Sequence, residues 1–164
     1  MQPLDYSGVT MQTGNPGLIA GTTTTYTIAT AFNYAIRGKS RTKATATNAA
    51  TPTTDANTAA AFTALTASKG CVFVWMVNAA GTVSVAQGPI FALSGETDCA
   101  NASFSSSTQW PNIPATACPF GYEVVKVGAS GANWTMGSSN QASVANVSIV
   151  FEQAMTLPDR PQVL

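Results

Sequence analysis

Hydrophobic and polar residues alternate along several stretches of this chain, and the alternation is typical of β-strands. In "TYTIATAFNYAIRG" one phase collects the apolar side chains expected on the buried face of a strand: Ile28, Phe32, Tyr34 and Ile36. The segment "SVANVSIVFEQAM" has the same period of two, with one apolar phase consisting of Ala145, Val147, Ile149 and Phe151. Both segments therefore predict half-buried strands.

The strongest local signal is "CVFVWMVNAAGTVSVAQG", residues 71–88, which predicts a β-hairpin. Two β-rich runs flank the connection "NAAG", whose last residue is Gly81, and this pattern suits a type I turn followed by a residue with positive φ. The first run is apolar on both faces, so both faces need a covering layer. We favour a second layer of the same domain over a second subunit as that cover.

The best helix candidate is "TPTTDANTAAAFTALTASKG", residues 51–70. Thr54 or Asp55 offers an N-cap, alanines follow, and Gly70 offers a stop signal. Phe62 and Leu65 would share one side of that helix. The high threonine content favours an irregular loop almost equally.

Together these patterns predict one all-β domain, a jelly-roll-like sandwich or barrel with at most one short helix. Residues 1–25 lack periodicity and carry many Gly, Pro and Thr residues, so we interpret them as an extended N-terminal arm. Residues 26–157 form the β domain, and the proline-containing residues 158–164 form a C-terminal tail. The long loop at 94–119 contains Trp110 and Ile113, which indicate that it packs against other parts of the protein.

Charged residues make up only 9% of the 164 residues, and seven acidic side chains balance seven basic ones. Such a surface resists association poorly and is more typical of assembly subunits and extracellular proteins than of free enzymes. Four basic residues nevertheless alternate within "IRGKSRTKA": Arg37, Lys39, Arg41 and Lys43. On a single strand they would form one basic face, unless Gly38 is a hairpin tip. The stripe either protects a strand edge or docks on an acidic partner, and the two roles are compatible.

The sequence offers little catalytic chemistry. It contains no histidine, which removes Ser-His-Asp and Cys-His schemes and most zinc sites. No phosphate-binding loop or dinucleotide fingerprint is present, and no spacing pairs the acidic residues across a cleft: Glu96, Asp98, Glu123 and Glu152. We therefore predict a protein without enzymatic activity, cofactor or metal.

Charge and hydropathy also argue against nucleic-acid and membrane partners. The formal net charge is zero, and aromatic residues do not interleave with the basic stripe. No apolar run approaches the roughly 20 residues that span a bilayer. The N-terminus lacks the features of a secretory signal peptide, so we expect a soluble protein made in the cytoplasm.

Three cysteines are present. Cys71 lies in an apolar strand and fits a small buried hydrophobe. Cys99 and Cys118 bracket the Ser- and Pro-rich loop and are candidates for a disulfide, although free thiols are favoured in a reducing compartment.

Several phrases of the chain resemble small virion proteins of tailed bacteriophages and prophages: "TPTTDANTAAAFTAL", "GCVFVWMVNAAGTVSVAQGPI", "CPFGYEVVKVG" and "MTLPDRPQ". Within that group, the chain looks most like a capsid cement, or decoration, protein over roughly residues 30–161. The resemblance implies a non-enzymatic jelly-roll-like domain, made in the host cytoplasm. It also implies a dimer or trimer bound to the major capsid protein on the outer surface of the virion. The basic stripe would then pair with carboxylates of the capsid shell.

Two alternatives remain open at the level of sequence. A tail-associated or secreted adhesin that binds carbohydrate would stack Trp110 or Trp134 on sugar rings. A carboxylate-dependent hydrolase would require Glu123 or Glu152.

Overall fold

A computed structural model of the chain describes residues 10–94, 99 and 101–163. These residues form β-strands joined by turns and loops, with no helix among them, which confirms the predicted all-β class. The strands are β1 (Met11–Thr13), β2 (Leu18–Ala20), β3 (Thr25–Ile28), β4 (Phe32–Ile36), β5 (Lys39–Lys43), β6 (Ala46–Ala50), β7 (Lys69–Asn78), β8 (Val83–Gln87), β9 (Phe91–Ser94), β10 (Ser103–Phe104), β11 (Ala117–Val127) and β12 (Val147–Gln153).

The strands make two layers. One is a six-stranded antiparallel sheet in the order β10-β9-β7-β11-β12, with β8 paired to the distal half of β7. The other consists of two three-stranded sheets, β1-β4-β5 and β2-β3-β6. Both small sheets use the same three chain segments in the same order, so they form one ribbon that bends across its middle. The result is the predicted sandwich-like architecture.

The central strand β7 is buried on both faces, as its sequence predicted. One face, which includes Phe73 and Trp75, lies in the main core between the layers. The other face, with Val72 and Val74, is covered by side chains of the long loop and the C-terminal segment: Phe104, Trp110, Ile113, Leu157 and Val163. The cover therefore comes from the same chain, because the loop and the C-terminal residues fold back over the sheet.

The hairpin between β7 and β8 also agrees with the prediction. The amide of Gly81 donates to the carbonyl of Asn78 at 3.0 Å, and Gly81 has a φ of 82°. The side-chain oxygen of Asn78 accepts from the amides of Ala80 and Thr82, at 2.9 and 3.0 Å. These local contacts hold a type I turn with a left-handed residue behind it.

The helix considered for residues 51–70 does not form. Asp55 does cap a turn, since its Oδ1 accepts from the amides of Asn57 and Thr58, both at 2.9 Å. Ala59 then takes a φ of 57°, so the helical conformation ends after a single turn. Asp55 Oδ2 accepts from the amide of Gln87 at 2.7 Å, so the capping residue also holds this loop against β8. Tertiary contacts outweigh the weak helix propensity of this Thr-rich segment.

The predicted domain boundaries differ from the structure at both ends. Residues 10–25 of the proposed arm contribute β1 and β2, and Leu18 is buried in the main core. Near the other end, Pro158 accepts a hydrogen bond from the indole of Trp110 at 2.7 Å, and Val163 packs on the outer face of the six-stranded sheet. Both segments therefore belong to the β domain. Residues 1–9, 95–98, 100 and 164 lie outside the described part of the chain.

The cysteine pairing considered from sequence is wrong, because Cys71, Cys99 and Cys118 are all free and buried. Cys118 is the second residue of β11 and points into the main core, whereas Cys99 lies close to Lys126 near the other end of that strand. Eight residues of extended chain span roughly 26 Å, far beyond the reach of a disulfide. Burial raises the pKa of the Cys71 thiol to about 12 and that of Cys118 to about 11.

Candidate partner-binding hairpin

The basic stripe lies on a β-hairpin rather than on one strand. β4 and β5 pair through the registers Ile36 with Lys39 and Tyr34 with Arg41, which leaves Arg37 and Gly38 as the two-residue connection. Their φ values are 50° and 76°, and positive values at both central positions are the mark of a type I′ turn. Gly38 is thus the hairpin tip, and the expectation of one continuous basic face is corrected.

The turn changes the face on which the stripe lies. Residues directly opposite one another in an antiparallel pair point to the same side. Lys39, Arg41 and Lys43 lie opposite Ile36, Tyr34 and Phe32, whose side chains are buried. The three cations of β5 therefore point to the core side of an edge strand instead of continuing the polar face of β4.

Two of the side chains on this inner side connect the hairpin to the turn between β7 and β8. Lys43 Nζ donates to the carbonyl oxygen of Gly81 at 2.8 Å, and Tyr34 Oη donates to that of Asn78 at 2.8 Å. Arg41 is half-buried, and its Nε is buried without a hydrogen-bond partner. Burial raises the pKa of Tyr34, and the nearby charge of Arg41 partly offsets that rise. Lys43 thus anchors the hairpin to the turn between β7 and β8, and Arg41 is partly buried near Tyr34.

Arg37 and Lys39 differ from the other two because their side chains are exposed at the tip of the hairpin. Among the described residues, no carboxylate forms an ion pair with either cation. The four stripe residues therefore divide into an exposed pair at the tip and a half-buried pair nearer the body. The exposed pair is the part that can meet a partner without disturbing the fold.

Arg37 also stands at a position that its residue type does not favour. The first residue of a type I′ turn is typically Asn, Asp or Gly, since a left-handed conformation costs an ordinary L-residue about 1 kcal/mol or more. The backbone amide of Arg37 donates to Thr10 Oγ1 at 3.2 Å, which helps to hold the turn. A strained cation at an exposed tip motivates a functional role for its side chain.

The two carboxylates considered for a hydrolase do not form a pair. Glu123 points into the main core, where it is fully buried and its Oε2 accepts from Trp75 Nε1 at 3.1 Å. Glu152 lies opposite Tyr122, the neighbour of Glu123 in β11, so it occupies the outer face of the same sheet. Burial raises the pKa of Glu123 to about 8, which leaves it protonated at neutral pH. The alternation of "GYEVVKVG" could not predict this burial, because each of its two faces carries one charged residue and neither is marked as the buried one.

The two tryptophans considered for sugar stacking are packing residues. Trp134 is entirely buried, in edge-to-face contact with Phe73 at a centroid distance of 5.6 Å. Trp110 is half-buried and meets Tyr122 edge-to-face at 4.9 Å. In the described residues, no group of three or more His, Cys, Asp or Glu side chains is placed to hold a metal ion. No helix there is long and apolar enough to cross a membrane.

These features define a two-layer all-β protein whose exposed, unpaired cations include two at a hairpin tip. Comparison with known proteins identifies no relative of this chain. No family model, no curated protein and no solved structure matches the chain.

Proposed function

We propose that this protein is a non-enzymatic structural component of a bacteriophage virion, which binds the outside of the major capsid protein lattice and stabilises the head. The observation that carries the proposal is the hairpin tip, where Arg37 and Lys39 are exposed without an acidic partner among the described residues. In a chain with so few charges, this tip is the natural contact for an acidic surface. The resemblance of the sequence to capsid decoration proteins supplies the identity of that surface.

The physical requirements of such a role match the parts of the molecule. A protein that binds only the assembled shell shifts the assembly equilibrium by mass action. Many copies of one weak contact act together across a repeating lattice. The charge pair at the tip selects orientation and register, whereas the remaining surface, with its low charge, packs without large desolvation penalties.

The first test is the copy number of the polypeptide in gradient-purified particles of the phage that encodes it, measured by quantitative mass spectrometry against the major capsid protein. A high and fixed ratio to the capsid subunit supports decoration. A few copies per particle would place the protein in the tail, and absence from particles would end the virion proposal.

The second test addresses the hairpin. The double variant Arg37→Glu, Lys39→Glu should lose binding to undecorated capsids in a co-sedimentation assay, and wild-type binding should weaken as salt is raised. Arg160→Glu is the control for a charge reversal elsewhere, because Arg160 is a single exposed cation beside the 103–108 segment. Equal loss in the control, or unchanged binding of the double variant, would contradict the role of the tip.

The variant Arg37→Asn separates binding from folding. Asn adopts the left-handed conformation more readily than Arg, so this change should stabilise the isolated protein by about 0.5–1 kcal/mol. The same change removes one cation from the tip and should weaken capsid binding. A variant that is both less stable and fully competent in binding would refute the account of Arg37.

A further inference from the structure

Most exposed strand edges in this protein are shielded from pairing with another chain. β5 carries inward-pointing cations, and the loop at residues 54–61 covers β8 through the hydrogen bond from the amide of Ala56 to the carbonyl of Val85. The pairing of β6 is interrupted by an irregularity, and its Asn48 has a φ of 51°. The edge strands β1, β2 and β10 have only two or three residues each. Such features are recognised protections against edge-to-edge association.

β12 lacks these protections along its middle. It is a seven-residue strand at the edge of the six-stranded sheet, and it contains no lysine, arginine or proline. The amide of Gly128 donates to the carbonyl of Asn146, and the amide of Ala154 donates to the carbonyl of Phe120. Because hydrogen-bonded pairs alternate along an antiparallel ladder, the main-chain groups of the even-numbered residues of β12 point toward β11. The main-chain groups of Ile149 and Phe151 therefore point away from β11, and they have no backbone partner among the described residues.

The flanks of this free edge are occupied by other parts of the chain. At one end, the amide of Val147 donates to the carbonyl of Val144 at 3.2 Å. At the other end, the side chain of Gln153 bonds both the amide and the carbonyl of Leu18, at 3.0 and 2.8 Å. The open window thus consists of three residues, 149–151.

Exposed apolar side chains gather around the same strand. The large hydrophobic side chains that the described structure exposes are Val150, Met155 and Ile19, at 37%, 51% and 52%. Val150 lies at the centre of the window, Met155 follows β12, and Ile19 adjoins the residue that Gln153 binds. The formal net charge of zero gives two copies no overall repulsion.

We propose that β12 is a self-association edge, at which a second copy of this chain pairs antiparallel about a two-fold axis through Val150. In that register Ile149 of each copy faces Phe151 of the other, so all four free main-chain groups form hydrogen bonds. The two Val150 side chains meet across the axis, and each Glu152 faces a Ser148 instead of the other Glu152. A pairing shifted along the strand would leave a main-chain group of Ile149 or Phe151 without a hydrogen bond, or would move Val150 off the axis.

The register predicts a disulfide test. Val150 and its copy form a non-hydrogen-bonded pair with Cα atoms about 4.5 Å apart, a separation that a disulfide can span. Val150→Cys should therefore form a covalent dimer under mild oxidation at least about 10-fold faster than Thr47→Cys, whose side chain is exposed on the interrupted edge β6. The native cysteines are buried and do not compete. Equal rates for the two variants would overturn the proposed register.

The mass in solution tests the association itself. Sedimentation of the wild-type chain between about 10 and 500 µM should show a rise toward twice the 16.8 kDa chain mass. Val150→Arg, which places two like charges on the axis, should return the protein to the monomer, whereas Thr47→Arg should not. A monomer at all concentrations, or a trimer, would overturn the proposal, since two identical edges close as a dimer. The test uses the isolated chain, so its outcome is independent of capsid binding.

Discussion

Glu123 offers the sharpest physical prediction, because the main core holds its carboxyl group with only one hydrogen bond. Oε2 accepts from the indole of Trp75, whereas Oε1 is buried without a partner. Burial raises the pKa of this carboxyl from 4.5 to about 8, and the Trp75 hydrogen bond opposes the rise by a smaller amount. Replacing Glu123 with Gln keeps the shape and removes the titration.

The sign of the effect follows from proton binding. Between pH 4.5 and about 8, the folded protein holds a proton on Glu123 that the unfolded chain has lost, so stability falls as pH rises. Each pH unit in that window costs about 1.4 kcal/mol, and the whole window corresponds to about 5 kcal/mol. Below the window both states are protonated, and above it both are ionised, so the contribution is constant on either side.

The assay is urea unfolding followed by tryptophan fluorescence at several values from about pH 4 to 9. The free energy of unfolding of Glu123→Gln, minus that of wild type, should rise by about 5 kcal/mol across the window. The thiol of Cys71 interacts electrostatically with Glu123, and its pKa of about 12 keeps it neutral throughout. Glu152→Gln, which removes a carboxyl from the exposed outer face, is the matched control.

A stability difference that is independent of pH would refute this reasoning. It would mean that the carboxyl of Glu123 ionises equally well in the folded and unfolded states, and hence that water or a cation reaches it. A rise of equal size in the Glu152→Gln control would assign the pH dependence to the overall charge of the protein instead.

Three further predictions concern the anchors of the fold. Lys43→Met should lower the free energy of unfolding by about 1 kcal/mol, because it removes the hydrogen bond to Gly81. Lys39→Met should change the free energy of unfolding little. Equal effects of the two variants in chemical denaturation would contradict the anchoring role of Lys43. Asp55→Ala should lower the free energy of unfolding by about 3 kcal/mol in the same assay, because it leaves two amides of the 54–61 loop and one of β8 unpaired. A loss below about 0.5 kcal/mol would refute that assignment. The buried thiols should react with a thiol reagent only on unfolding, and rapid reaction or a disulfide in the intact mass would contradict the structure: Cys71, Cys99 and Cys118.

The position of the basic stripe illustrates where sequence reasoning depends on a single turn. Alternation correctly placed three of the cations, Lys39, Arg41 and Lys43, on a strand, but a two-residue connection reverses the chain at Arg37 and Gly38. Across such a turn the phase of alternation is reset, so cations that looked outward-facing lie opposite buried residues. The possibility that Gly38 forms a hairpin tip was visible in the sequence, whereas the choice between the two geometries was not.

Strands, one hairpin and the all-β class were determined by the sequence itself, because each depends on side chains that are near one another in the chain. The period of two marks β12, and the Asn78 and Gly81 residues specify the turn between β7 and β8 through local hydrogen bonds. The absence of histidine likewise restricted the chemistry before any fold was known.

Only the tertiary structure decided which face of each strand is covered and by what. Asp55 caps a single turn that ends at Ala59, which has a positive φ, and the same carboxylate also accepts a hydrogen bond from the amide of Gln87 in β8. Glu123 is buried because its neighbours across the sheet are Phe73 and Phe151, which are distant in sequence. β12 is an edge strand because, among the described strands, only β11 pairs with it. Such outcomes depend on competing contacts between residues that are far apart in the chain, and local residue patterns do not specify which of those contacts form.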